Sequence, residues 1–109
     1  MSTQIIRGNI KTMFAVSITA DVTSRTANTT TEFDITVPGV AVGDIVICWN
    51  KLALDAGASI TSARVKSANT VATTWVNATG SGVDPASQAY VFVIGRPETP
   101  SALPAIVNI

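Results

Sequence analysis

The chain contains no histidine, one cysteine, and only seven basic and seven acidic residues among its 109. Without histidine a Ser-His-Asp arrangement cannot exist, and the commonest proton-transfer group near neutral pH is missing. The lone Cys48 excludes an internal disulfide, and no zinc-ligand spacing surrounds it. The formal net charge is zero, which argues against nucleic acid as a partner, because that needs a basic stripe. Arg7, Lys11, Arg25, Lys51, Arg64, Lys66 and Arg96 are scattered along the chain and read as a solvated set. No stretch reaches the roughly 18 apolar residues of a membrane helix, so no membrane partner is expected. The start lacks a signal peptide's basic head and long apolar core, so synthesis in a cytoplasm is expected. These absences point away from an enzyme, a metal site or a cofactor. They point toward a protein that works through its surfaces and its ends.

What is present is a body rich in threonine, alanine and valine, with 47% hydrophobic residues. The length suits one domain, which buries about two-thirds of its unfolded surface and folds without staples. The apolar period is two rather than 3.6. Across residues 32–37, Phe33, Ile35 and Val37 point one way and Glu32, Asp34 and Thr36 the other. Pro38-Gly39 breaks this strand. Residues 44–50 form the next, with Ile45, Ile47 and Trp49 on one face and Val46 and Cys48 on the other. Apolar on both faces, it is expected to be central in its sheet or covered by a neighbour, with Cys48 buried as a small hydrophobe. Residues 60–66 and 70–76 make a hairpin joined by Ser67-Ala68-Asn69, with Asn69 the residue suited to positive φ. A first strand over 13–20 turns Phe14, Val16 and Ile18 inward, and a last one over 89–96 is apolar on both faces. The pattern predicts an all-β fold: an antiparallel β-sandwich or jelly-roll-like body of six to eight strands, with extended N- and C-terminal arms.

Those arms are residues 1–12 and 97–109, flanking a body of residues 13–96. The first carries Ile5, Ile6 and Arg7. The second carries Pro97, Pro100 and Pro104, which favour an extended path, together with Leu103, Ile106, Val107 and Ile109. These ten residues are the candidate partner-binding set. Burial of the four apolar side chains falls short of the entropy of fixing thirteen backbones, so the second arm needs backbone pairing or a groove to hold it. It is expected to be mobile in a free subunit and ordered across a neighbour.

Other chemistry-bearing residues have plainer readings. Asp55 and Asp84 suit turns, and Glu32 and Asp34 suit a solvated strand face. Asp21, Asp44 and Asp55 lack calcium-loop spacing. Gly80-Ser81-Gly82 lacks the lysine of a phosphate loop. Asn28-Thr29-Thr30 and Asn77-Ala78-Thr79 match the glycosylation triplet and read as chance in a cytoplasmic chain. Trp49, Trp75, Tyr90 and Phe92 read as core, with a sugar-stacking platform as the alternative if two of them are exposed.

Several segments carry a resemblance that covers residues 33–96. They are Ile35-Thr-Val-Pro-Gly-Val-Ala-Val-Gly-Asp44, Ile60-Thr-Ser-Ala-Arg-Val65, Asn77-Ala-Thr-Gly80 and Val83-Asp-Pro-Ala-Ser87 ahead of the final apolar strand. Together they resemble the small β-sandwich cement, or decoration, proteins of tailed-phage capsids. The resemblance implies a virion protein on the outer surface of the assembled head, bound to the major capsid protein and stabilising contacts between its subunits. It also implies a homo-oligomer, for which a trimer is favoured over a dimer. The competing classes are another virion module of tail, neck or fibre base, and a surface carbohydrate-binding module.

Overall fold

A computed structural model describes residues 10–98 of the chain, and the backbone of Ile5, Ile6, Ile106 and Val107. Eight strands follow in order: β1 (Ile5–Ile6), β2 (Ile10–Ala20), β3 (Thr29–Thr36), β4 (Ile45–Lys51), β5 (Ala58–Ser67), β6 (Thr70–Asn77), β7 (Gln88–Pro97) and β8 (Ile106–Val107). The six long strands form two three-stranded antiparallel sheets, ordered β2-β7-β4 and β3-β6-β5. This is the all-β sandwich expected from the period of two, and no helix occurs among the described residues.

The chain crosses between sheets after β2, β3 and β4, turns once as the β5–β6 hairpin, and returns to complete the first sheet with β7. Inward alternation on β7 places Tyr90, Phe92 and Ile94 at 0% exposure. Opposite them β6 contributes Val71, Thr73, Trp75 and Asn77, all buried. Trp75 meets Tyr90 edge-on, with centroids 6.3 Å apart and planes at 81°, a favoured aromatic geometry. The buried Thr73 hydroxyl accepts from the Trp75 indole N–H at 2.9 Å and donates to the Phe33 carbonyl at 2.8 Å. Both polar atoms are thereby satisfied inside the core.

Asn69 adopts φ 61°, as its type and place in the hairpin predict. It also holds the neighbouring corner. Its side-chain oxygen accepts the Gly39 N–H at 2.9 Å, and its own N–H donates to Val40 at 2.9 Å. Gly39 and Gly43, at φ 97° and 101°, let that corner turn where a side chain would be strained.

Two expectations are corrected. First, β4 lies at the edge of its sheet rather than at the centre, and Cys48 is exposed. A β-bulge turns Cys48 outward: Val46 pairs with Ile94 and Cys48 with Val93, leaving Ile47 over. The extra residue resets the alternation, so Val46 and Trp49 both face the core while Ile45, Ile47 and Cys48 face out. Second, Arg25 is buried rather than solvated, at 7% exposure. Its guanidinium donates to the Thr23 carbonyl, the Thr23 hydroxyl and the Thr31 hydroxyl, and lies 5.3 Å from the Phe33 ring centroid. Asn77 is a structural residue, 1% exposed. Its amide donates to the Arg25 and Ser81 carbonyls, and its oxygen accepts from the Thr79 N–H and hydroxyl. That saturates the side chain and leaves no amide nitrogen for a glycan.

The ends also differ from the expected boundaries. Ile10, Lys11 and Thr12 belong to β2 and Pro97 to β7, where it pairs with Ile10.

The Tyr90 hydroxyl is buried beside the Gln88 side chain but makes no well-formed hydrogen bond among the described residues. Tyr90→Phe is therefore expected to hold or raise stability by about 1 kcal/mol, because an unmet polar group leaves the core. Phe92→Ala, which removes a fully buried ring, is expected to cost about 3–5 kcal/mol. Urea titration of both variants checks the opposite signs.

Candidate interaction surface

The two sheets present different outer faces. On β3-β6-β5, Arg64 bonds Glu32 at 3.0 and 3.3 Å, and Lys66 bonds Asp34 at 3.0 Å. Donors and acceptors sit on the two flanking strands, so both pairs bridge across β6 and roof over Ala72, which is 0% exposed. Exposed pairs of this kind add little stability. They give this face a hydrated, charged surface.

The outer face of β2-β7-β4 carries no charge from residues 12–20, 45–50 or 88–95. Its rows run Met13–Gly95–Ile45, Ala15–Val93–Cys48 and Ser17–Val91–Asn50. Met13 is 61% exposed, Ile45 50%, Ile47 47% and Ile10 39%. Gly95 is what lets the bulged Ile47 lie down on this face: a Cβ there would sit 3.0 Å from the Ile47 Cδ1. Beyond Lys51 the Leu52 N–H donates to the Ala89 carbonyl, extending the β4–β7 pairing to a loop that exposes Leu52 at 78% and Leu54 at 86%.

A buried polar cluster fixes that loop. Asp55, expected to be a plain turn carboxylate, is its hub. It accepts from the Lys51 Nζ at 2.6 Å, the Gln88 amide at 3.0 Å and the Ala86 N–H at 3.3 Å. The Gln88 oxygen in turn accepts the Ala53 N–H at 2.7 Å, pinning the residue between the two leucines. Lys51 also lies 5.3 Å from the Trp75 ring centroid. Burial pushes the Asp55 pKa up, but the Lys51, Ala86 and Gln88 donors outweigh it and the net shift is downward. The two leucines are therefore presented on a held backbone rather than a loose one.

At the opposite end of the face, Arg96 grips Asp44 with two bonds of 2.9 and 2.8 Å and the Gly39 carbonyl at 2.7 Å. This hydrogen bonding holds the Asp44 carboxyl below its usual range, against a smaller opposing effect of burial. Lys11, Asp44, Arg96 and Glu98 line a groove of about 320 Å³ there. The ends of β2 and β7 emerge beside it, and the two terminal segments meet again further out, where Ile5 pairs with Val107 and Ile6 with Ile106. Of the candidate partner-binding set, those four thus face one another within one chain, and Pro97 lies in β7. Arg7, Pro100, Leu103, Pro104 and Ile109 lie outside the described residues.

The aromatic residues do not build a sugar platform. Trp75, Tyr90 and Phe92 are at 0% exposure and Trp49 packs against the core. Sequence reasoning missed the uncharged face because only the bulge at Ile47 turns Cys48 outward. Residues 44–50 are apolar on both faces, which reads as burial, and no residue type in the run marks the bulge.

Both Asp44 and Asp55 bind protons less readily folded than unfolded. Their stabilisation is full above about pH 5 and is lost as the pH falls through about 4 toward the folded values. The melting temperature is expected to be flat from neutral pH down to about 5 and to drop below about 4. In Asp44→Asn it is expected to be lower at neutral pH and to fall less on acidification, as a scanning-fluorimetry pH series would read out. Comparison with protein-family models, curated proteins and solved structures finds no match to this chain.

Proposed function

We propose that this protein is a cement protein of a tailed-phage capsid. It binds the outer surface of the assembled head and stabilises contacts between major capsid protein subunits. The observation that carries this reading is the contrast between the two outer faces: one is roofed by ion pairs, and the other is uncharged with Met13, Ile45, Ile47 and Leu52 exposed. A contiguous apolar face on a small domain marks an interaction site. The resemblance in the turn segments supplies the class of partner.

The energetics suit a multivalent clamp. One three-stranded face of this size offers about 400 Å², about half of one partner's share in a stable interface. Leu52 and Leu54 add anchors, and the terminal segments add further reach. Binding to the assembled lattice but not to free shell subunits stabilises the lattice by mass action. Joining several such contacts in one homo-oligomer raises avidity by about 10²–10⁴ over a single one.

Cys48 is the only thiol in the chain, and it is exposed on the β4 side of the uncharged face. It is expected to react with a maleimide in the free protein and to be protected on particles. Quantitative mass spectrometry of purified particles is expected to find hundreds of copies, in fixed ratio to the major shell protein. A few dozen copies or fewer would move the protein to the tail, neck or fibres, and its absence would overturn the structural reading.

A further inference from the structure

The four sheet edges are not equally protected. On β3 the edge carries Glu32 and Asp34. On β5 it carries Arg64 and Lys66, and two register shifts interrupt it. On β4 the Ile47 bulge breaks it and Lys51 ends it. These are the devices by which proteins stop edges from pairing with other chains. On β2 the only shift lies at the start, between Ile10 and Thr12. From there residues 12–20 run in unbroken register with no charge, proline or glycine. β7 occupies one side of this strand, and no strand among the described residues pairs with the other.

We infer that the free edge of β2 pairs antiparallel with β2 of a second copy of this chain, about a two-fold axis through Val16. The register follows from the pleat. Any axis on a residue keeps inward side chains opposite inward ones, and Val16 is the centre of residues 12–20, which maximises the paired length. Phe14 then faces the partner copy's Ile18, and Val16 faces its counterpart. Each of these is only half-buried at the sheet margin and gains cover. On the other side Ala15 meets Ser17 and Met13 meets Thr19, small or unbranched side chains with no charge to clash. The occupant is a second copy because the segment is neutral and self-complementary, and because pairing makes one six-stranded sheet whose uncharged outer face continues across the join. The two-fold selects a dimer over the trimer favoured from sequence. It does not depend on shell binding.

The test is the solution mass of the purified full chain by light scattering and sedimentation. The expected result is twice the 11.3 kDa chain mass. Ala15→Lys with Ser17→Lys changes two exposed side chains and is expected to halve the mass while leaving the β-sheet circular dichroism intact. Mixing that variant with an Ala15→Glu, Ser17→Glu chain is expected to restore the dimer. As an independent reading, in a Cys48→Ser background, an Ala15→Cys chain and a Ser17→Cys chain are expected to cross-link to each other on mild oxidation. A wild-type monomer at about 100 µM, a trimer, or a dimer unaffected by the double charge and without the cross-link would overturn the inference. If the lysine variant fails to fold, the cross-link alone decides it.

Discussion

The structure depends on the enclosure of β7 between β2 and β4. Packing against the other sheet requires its inner face to be apolar, and its outer face, at Ala89, Val91 and Val93, is apolar as well. Its inner residues Tyr90, Phe92 and Ile94 are fully buried in the core. Its outer residues Val91 and Val93 form the midline of the uncharged face. The same pairing therefore creates the domain interior and the surface through which the domain is proposed to act. A charge on either side of β7 would be excluded for different reasons: desolvation inside, and loss of the apolar face outside.

Around that strand, buried polar groups position loops rather than perform chemistry. Asp55 with Lys51 and Gln88 fixes the loop bearing Leu52 and Leu54. Asp44 with Arg96 fixes the Pro38–Gly43 corner to the end of β7. Asn77 ties the Arg25 segment to residues 79–81. Each cluster meets its hydrogen-bonding needs internally, which is the condition for a buried polar group to stabilise rather than weaken a small domain. In a chain with so few charges, four acidic side chains on strands or their turns are committed to ion pairs with named partners.

Much of the fold is legible in the sequence because alternation is a local property. Phe33, Ile35 and Val37 are assigned inward from spacing alone, and the backbone places them there. Asn69 is legible because few residues tolerate positive φ. The bulge at Ile47 is not legible: nothing in Ile-Val-Ile-Cys-Trp marks where one residue is skipped, and a shift of one reverses every later side chain. The burial of Arg25 and Asp55 is hidden for another reason. Arg25 is buried by nearby Thr23 and Thr31, residue types too common here to mark a site, and Asp55 joins the nearby Lys51 to Ala86 and Gln88, which are distant in sequence. The meeting of β1 with β8 is foreshadowed by apolar pairs at both ends of the chain, but their mutual pairing follows only once β2 and β7 are seen to be neighbours.

That neighbourhood also sets how the chain must fold. Ile18 pairs with Tyr90 and Phe14 with Ile94, so the first body strand finds its partner only after the rest of the body has been made. Such long-range pairing closes a large loop before any contact repays it, and it places the domain among slower-folding topologies. During synthesis β2 emerges early and waits, while the β5–β6 hairpin, with its two-residue turn, can close locally. Until β7 arrives, both edges of the uncharged stretch of β2, residues 12–20, are open. The segment left least guarded in the finished protein is thus the one exposed longest while the protein is being built, and crowded copies on neighbouring ribosomes would meet there first.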